Sequence, residues 1–121
     1  MNIHIQARDF VLTTPLRDYV ERRLHFALGW ADDRLRQVSV RLSDENGPRG
    51  GKDKRCRLQI TFSGAPSVVI DDTEVDLYVA IDRAADRAGR SVARRLERQR
   101  DYRQGDLPAM TPVDSVALAL D

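Results

Sequence analysis

Five arginines, Arg83, Arg87, Arg90, Arg94 and Arg98, follow one another at intervals of four, three, four and four residues. On an α-helix, which turns about 100° per residue, those intervals gather them into an arc of roughly 80°. Guanidinium is planar, permanently charged and able to grip a phosphate through two parallel hydrogen bonds. A row of it along one helix face is what a phosphate backbone would require. The competing reading of any basic run is a solvated helix face, and Asp86 and Glu97 border the row and weaken its field.

Other candidate chemistry is thin. The stretch from Gly47 to Asp53 looks superficially like a phosphate loop, but its glycine spacing is one residue short and Asp53 stands where Ser or Thr is needed. Asp71, Asp72, Glu74 and Asp76 could bind a divalent cation, although capping and the macrodipole already explain acidic residues at a helix start. His4 and His25 lack partners at metal-ligand spacing, and Cys56 falls on the apolar side of a strand, where an inert thiol is expected. No Ser sits in a nucleophile elbow. A binding module is expected rather than an enzyme, with no cofactor, no metal and no small-molecule substrate.

The arginines need a platform. From Asp76 to Arg103 a helical reading places Leu77, Ile81, Ala84, Ala85, Ala88, Val92 and Leu96 opposite the arginines, the stripe of a helix packed on a sheet. Gly89 costs about 1 kcal/mol relative to Ala inside a helix, so it serves close packing or access rather than helix stability. Upstream, Ile3, Ile5 and Ala7 alternate with polar residues and read as a strand. Thr14 is the expected N-cap of a first helix, with Pro15 in its first position and Leu16, Val20, Leu24, Ala27 and Leu28 on its apolar face. Tyr19, Phe26 and Trp30 form a second cluster read as core margin, with base stacking beside Arg22 and Arg23 as the alternative. Alternation returns over 35–43 and 55–63, separated by the apolar-free connection 44–53, which is expected to join antiparallel strands. After Gly64-Ala65-Pro66, residues 67–70 make a short fourth strand, and Thr73-Glu74-Val75-Asp76 matches a capping box at the entry to the second helix. The element order is βαβββα, an α+β class.

At 121 residues and 41% hydrophobic content the chain suits one domain with a modest core. Its net charge is only +1, so nucleic-acid binding must come from local arrangement rather than overall charge. Of the twenty basic residues all but Lys52 and Lys54 are Arg. No run approaches the roughly 18 apolar residues of a membrane span and no signal segment is visible, so no membrane association and a cytoplasmic location are expected. The single cysteine excludes an internal disulfide. Residues 1–104 are read as the binding domain and 105–121 as a flexible tail. That tail either docks loosely on its own chain or, through Val116, Leu118 and Leu120, meets a partner or a second copy in weak self-association. An RNA-recognition sheet would carry stacking aromatics on its open face, whereas here that face shows Arg8, Gln37, Ser39, Arg41, Arg55, Arg57 and Thr61.

Asp76-Leu77-Tyr78-Val79-Ala80-Ile81-Asp82 resembles the start of the second helix in the ribosome hibernation factors, the family of hibernation-promoting factor and the ribosome-associated inhibitor. Ile3 and Ile5, Phe10-Val11-Leu12-Thr13 and Leu16-Arg17-Asp18-Tyr19-Val20 carry a second part of the likeness, which spans roughly 1–103. The resemblance implies a four-stranded sheet with both helices on one face. It also implies binding to the rRNA of the small ribosomal subunit near the path of mRNA and tRNA, silencing idle ribosomes under stress or in stationary phase. It places rRNA contacts on Arg23, Arg87, Arg90, Arg94 and Arg98, to which the helical spacing adds Arg83. Phe26 stands where the family often has a basic residue, and the chain is similar to a short form of the family. The alternative function is a protein-interaction module of the sigma-factor modulation type without direct RNA binding.

Overall fold

The computed structural model describes residues 1–44 and 53–106, apart from the side chains of 101–106. In chain order it forms β1 (Asn2–Arg8), α1 (Thr14–Leu28), a short 3-10 helix (Gly29–Arg34), β2 (Leu35–Asp44), β3 (Lys54–Phe62), β4 (Ala65–Glu74) and α2 (Leu77–Asp106). The four strands lie side by side in sequence order. β1 and β2 are parallel, as strands joined by a helical crossover must be, and β2, β3 and β4 are antiparallel neighbours. This is the βαβββα order expected from periodicity.

Side chains on a strand alternate between faces, which decides where the core lies. Ile5, Val38, Val40, Leu42, Leu58 and Ile60 are buried on one face of the sheet. α1 covers that face with Leu16, Val20, Leu24 and Leu28, and α2 with Ala80, Ile81, Ala84, Ala85 and Ala88. Burying each large aliphatic side chain contributes about 1.5–3 kcal/mol, so this one layer of contacts dominates stability. The small residues of α2 let it approach closely. A Cβ on Gly89 would meet the Ala27 carbonyl oxygen of α1 at 3.3 Å, so the glycine sits where the two helices nearly touch.

By compactness the chain divides into Met1–Ser91, which holds the sheet, α1 and the first half of α2, and Val92–Asp121, which begins with the second half of α2. Several boundaries differ from the sequence expectation. The first helix is capped by Thr13, whose hydroxyl accepts from Leu16 N at 3.3 Å, so Thr14 and Pro15 are its first two helical residues. With two adjacent threonines, the one whose extended backbone (φ −82°, ψ 160°) aims its hydroxyl at the free amides takes the cap. β4 is ten residues long rather than four and runs through Thr73 and Glu74, so no capping box forms there. Asp76 caps α2 instead, its carboxylate accepting from Tyr78 N at 2.8 Å and its carbonyl from Ala80 N at 3.0 Å. α2 continues through Gly105 and Asp106. The remainder of the expected tail, 107–121, and residues 45–52 of the connection lie outside the described residues.

Candidate nucleic-acid interface

The arrangement of α2's charges begins on β4. In the antiparallel register Cys56 faces Asp72 and Lys54 faces Glu74, while Arg57 faces Asp71. Cys56 is buried in the core, so Asp72 and Glu74 share the helix side of the sheet and Asp71 the open side. The two helix-side carboxylates meet the start of the arginine row. Arg83 Nε lies 3.6 Å from Glu74 Oε2, and Arg87 Nη1 donates to the Asp71 carbonyl at 2.7 Å and lies 3.4 Å from Asp72 Oδ2. Arg83, Arg87 and Arg90 line a shallow depression with Asp72 and Asp86.

Farther along the row itself no such pairing is found among the described residues. Arg90 in the first unit, and Arg94 and Arg98 in the second, are exposed and have no carboxylate within ion-pair distance among the described residues. The row is therefore graded: its first two guanidinium groups are neutralised by an edge strand, and the later ones are left to solvent or a ligand.

Arg23 has a different setting from the rest of the predicted site. Its Nε donates to Asp82 Oδ1 at 2.8 Å, and its Nη2 donates to Asp86 Oδ1 at 2.9 Å and to the Asp82 carbonyl at 3.3 Å. With its side chain only 20% exposed, it is a clamp from α1 onto α2. Asp86, expected to weaken the row, spends its carboxylate on that clamp. The Tyr19 hydroxyl donates to the same Asp82 oxygen, and this hydrogen bond together with burial holds the phenol above its ordinary pKa. Tyr19 also meets Tyr78 edge-on, with ring centroids 4.8 Å apart.

Phe26 and Trp30 correct the core-margin reading. Phe26 is 82% exposed and Trp30 57% exposed. Two faces of α1 cannot both look at one sheet, and Leu24 and Leu28 take the inward one. The Arg23 guanidinium lies 5.8 Å from the Phe26 ring centroid, and Trp30 Nε1 donates to the Ala27 carbonyl at 2.9 Å, which fixes how that ring is presented. The Cys56 thiol is pushed up to about 12, first by burial and then by the carboxylates of Asp72 and Asp71.

The sequence reading missed the clamp, because Arg23 and its acceptors are remote in sequence and on separate helical wheels. It also treated the arginines of the open sheet face as a scattered polar surface. Arg8, Arg41, Arg55 and Arg57 instead border one concavity with Asp9 and Ser43. The signal was available in the strand register, which sets Arg41 directly across from Arg57.

Residues 3–100 match the family described as Sigma 54 modulation protein / S30EA ribosomal protein. The chain is 31% identical over 118 residues to the ribosome hibernation promoting factor of Azotobacter vinelandii, covering 93% of this chain and 99% of that one. Its fold is similar to the N-terminal domain of Protein Y from Thermus thermophilus, with a TM-score of 0.64 and 32% identity over 78% of this chain and 98% of that one. A ribosomal subunit interface protein from Coxiella burnetii has the same fold, with a TM-score of 0.68 at 13% identity over 80% of this chain and 99% of that one.

Proposed function

We propose, because this chain belongs to the Sigma 54 modulation protein / S30EA ribosomal protein family, that it is a cytoplasmic ribosome hibernation factor that binds rRNA of the small subunit and silences idle ribosomes under stress. The observation that carries the reading is the row on α2, in which Arg90, Arg94 and Arg98 are exposed without an acidic partner among the described residues. Unneutralised guanidinium groups at helical spacing match a line of phosphates, and each phosphate contact displaces condensed counterions. Arg83 and Arg87 stand at the start of the same row, their carboxylates giving way when a phosphate arrives. Arg23 acts in this scheme by holding α1 against α2. Residues 1–104 form the proposed binding domain.

Sedimentation of a stationary-phase lysate on a low-salt gradient tests this. The protein should travel with small subunits or whole ribosomes. If it stays at the top while a tagged form captures only proteins, the sigma-factor modulation alternative takes over. Trp30 is the only tryptophan in the chain. With its indole exposed on the 3-10 helix that follows α1, its fluorescence should be quenched on adding small subunits if an unpaired base stacks there. Unchanged emission at saturating subunits would remove that 3-10 helix from the interface.

A further inference from the structure

The open face of the sheet carries a second basic site, on the side away from the helices. Arg41 on β2 and Arg57 on β3 are direct cross-strand partners, and like charges set opposite each other work against the sheet. Arg8 comes from the end of β1, where Gln6 is the register partner of Arg41 and Arg8 that of Ser43. The concavity that these residues border with Arg55 encloses about 350 Å³. Two carboxylates are present. Asp71 accepts from Arg55 Nε at 2.8 Å and lies 3.9 Å from Arg57, and Asp9 sits on the rim in a left-handed conformation, φ 72°. Four guanidinium groups therefore face two carboxylates. Among the described residues Arg8 and Arg41 have no acidic partner within ion-pair distance. Alongside runs a basin of about 500 Å³ that shares Arg41 and Arg57 with the concavity and is otherwise lined mainly by His4 and by Gln6, Gln37, Ser39 and Gln59, whose amides and hydroxyl can both donate and accept.

We infer that this face binds the oligophosphate of a free nucleotide, the phosphates seated among Arg8, Arg41 and Arg57 and the sugar and base lying along the amide-lined basin. A compact anion explains the layout better than an RNA backbone does. With Asp71 and Asp9 beside the arginines the long-range field is weak, so only a ligand that brings several charges within hydrogen-bond reach of several guanidinium groups gains much. A backbone phosphodiester brings one charge to that spot. No Phe, Tyr or Trp lines either hollow, so the base is held chiefly by hydrogen bonds at its edge, with the His4 imidazole beside it. The nucleotide is a ligand here and not a substrate, and nothing in the site turns it over.

Calorimetric titration of the full chain in low-salt buffer tests the site, first with inorganic pyrophosphate and then with ADP. Pyrophosphate should bind, and ADP should bind more tightly because the amide basin adds contacts. Arg41→Gln with Arg57→Gln should weaken both by at least about tenfold, while Arg90→Gln with Arg94→Gln should leave both unchanged. Thermal melts guard against misfolding: relief of the Arg41–Arg57 repulsion offsets loss of the 3.9 Å Arg57–Asp71 pair, so Tm should change little, and pyrophosphate should raise the Tm of the unaltered chain but not of the sheet variant. Arg41→Lys, which keeps the charge and loses the two-pronged grip, gives an intermediate loss. Absence of both heat and a melting shift with pyrophosphate in the unaltered chain overturns the proposal. So does an equal loss in the helix variant, or competitive displacement of ADP by a short single-stranded RNA. None of these readouts depends on ribosome binding, so the two proposals fail separately.

Discussion

Arg23 shows how little a residue's type says about its task. The family resemblance makes it an rRNA contact, yet in the folded chain three hydrogen bonds commit it to Asp82 and Asp86. Its replacement should therefore be read in stability before it is read in binding. Arg23→Ala should cost about 1 kcal/mol in urea denaturation, discounting charge-assisted bonds for partial exposure, whereas Arg22→Ala should stay within about 0.5 kcal/mol. Equal effects would show that the clamp holds nothing. Asp71 gives a pH-dependent counterpart. Hydrogen bonding from Arg55, helped by the charges of Arg57 and Arg87, holds its carboxyl below the usual carboxylate range against the opposing effect of burial. A depressed folded pKa favours the ionised form on folding, so the contribution is complete above the unfolded value near about 4 and drains away as pH falls through the folded one. The stability advantage of the unaltered chain over Asp71→Asn should be constant near neutral pH and shrink as pH falls below about 4. A constant advantage would mean the carboxylate is not stabilised by its arginines.

At the scale of elements, the contact of α1 with α2 turns on Gly89. Gly89→Val adds branched bulk against the Ala27 carbonyl 3.3 Å from the missing Cβ, and this should cost about 1–3 kcal/mol, lowering Tm by about 4–8 °C for each kcal/mol. An unchanged melting temperature would show that the helices have room to separate. The elements themselves were largely legible: alternation located β1, β2 and β3, and the 3.6-residue period located both helices. β4 was read too short because Asp71, Asp72 and Glu74 look like a helix approach. Edge strands carry charge on both faces, and only the folded chain reveals that Asp71 is answered by arginines of β3, and Asp72 and Glu74 by Arg87 and Arg83 of α2. The 3-10 helix Gly29–Arg34 has no periodic signal at six residues. Phe26 and Trp30 were misplaced because large apolar residues are usually inside, a tendency and not a rule for any one side chain.

Across the whole molecule, the near-neutral total of +1 conceals an uneven distribution. On α2 the five-arginine row begins with Arg83 and Arg87 facing carboxylates and continues with Arg90, Arg94 and Arg98, which have no acidic partner among the described residues, while the open face of the sheet holds a compact basic concavity. The spacing of the five helix arginines was plain in the sequence; their grading was not, since it depends on where β4 sends Asp72 and Glu74. That grading is the most specific part of the account, and the salt dependence of small-subunit binding measures it directly. Replacing Arg90, Arg94 and Arg98 together with Ala should flatten the slope of log affinity against log salt by about two to three units, because each loses a counterion-releasing phosphate contact. Replacing Arg83 and Arg87 should flatten it less per residue, and Arg41 with Arg57 hardly at all. A slope unchanged in the triple variant, or a larger loss from the sheet pair, would contradict the assignment of the interface to α2.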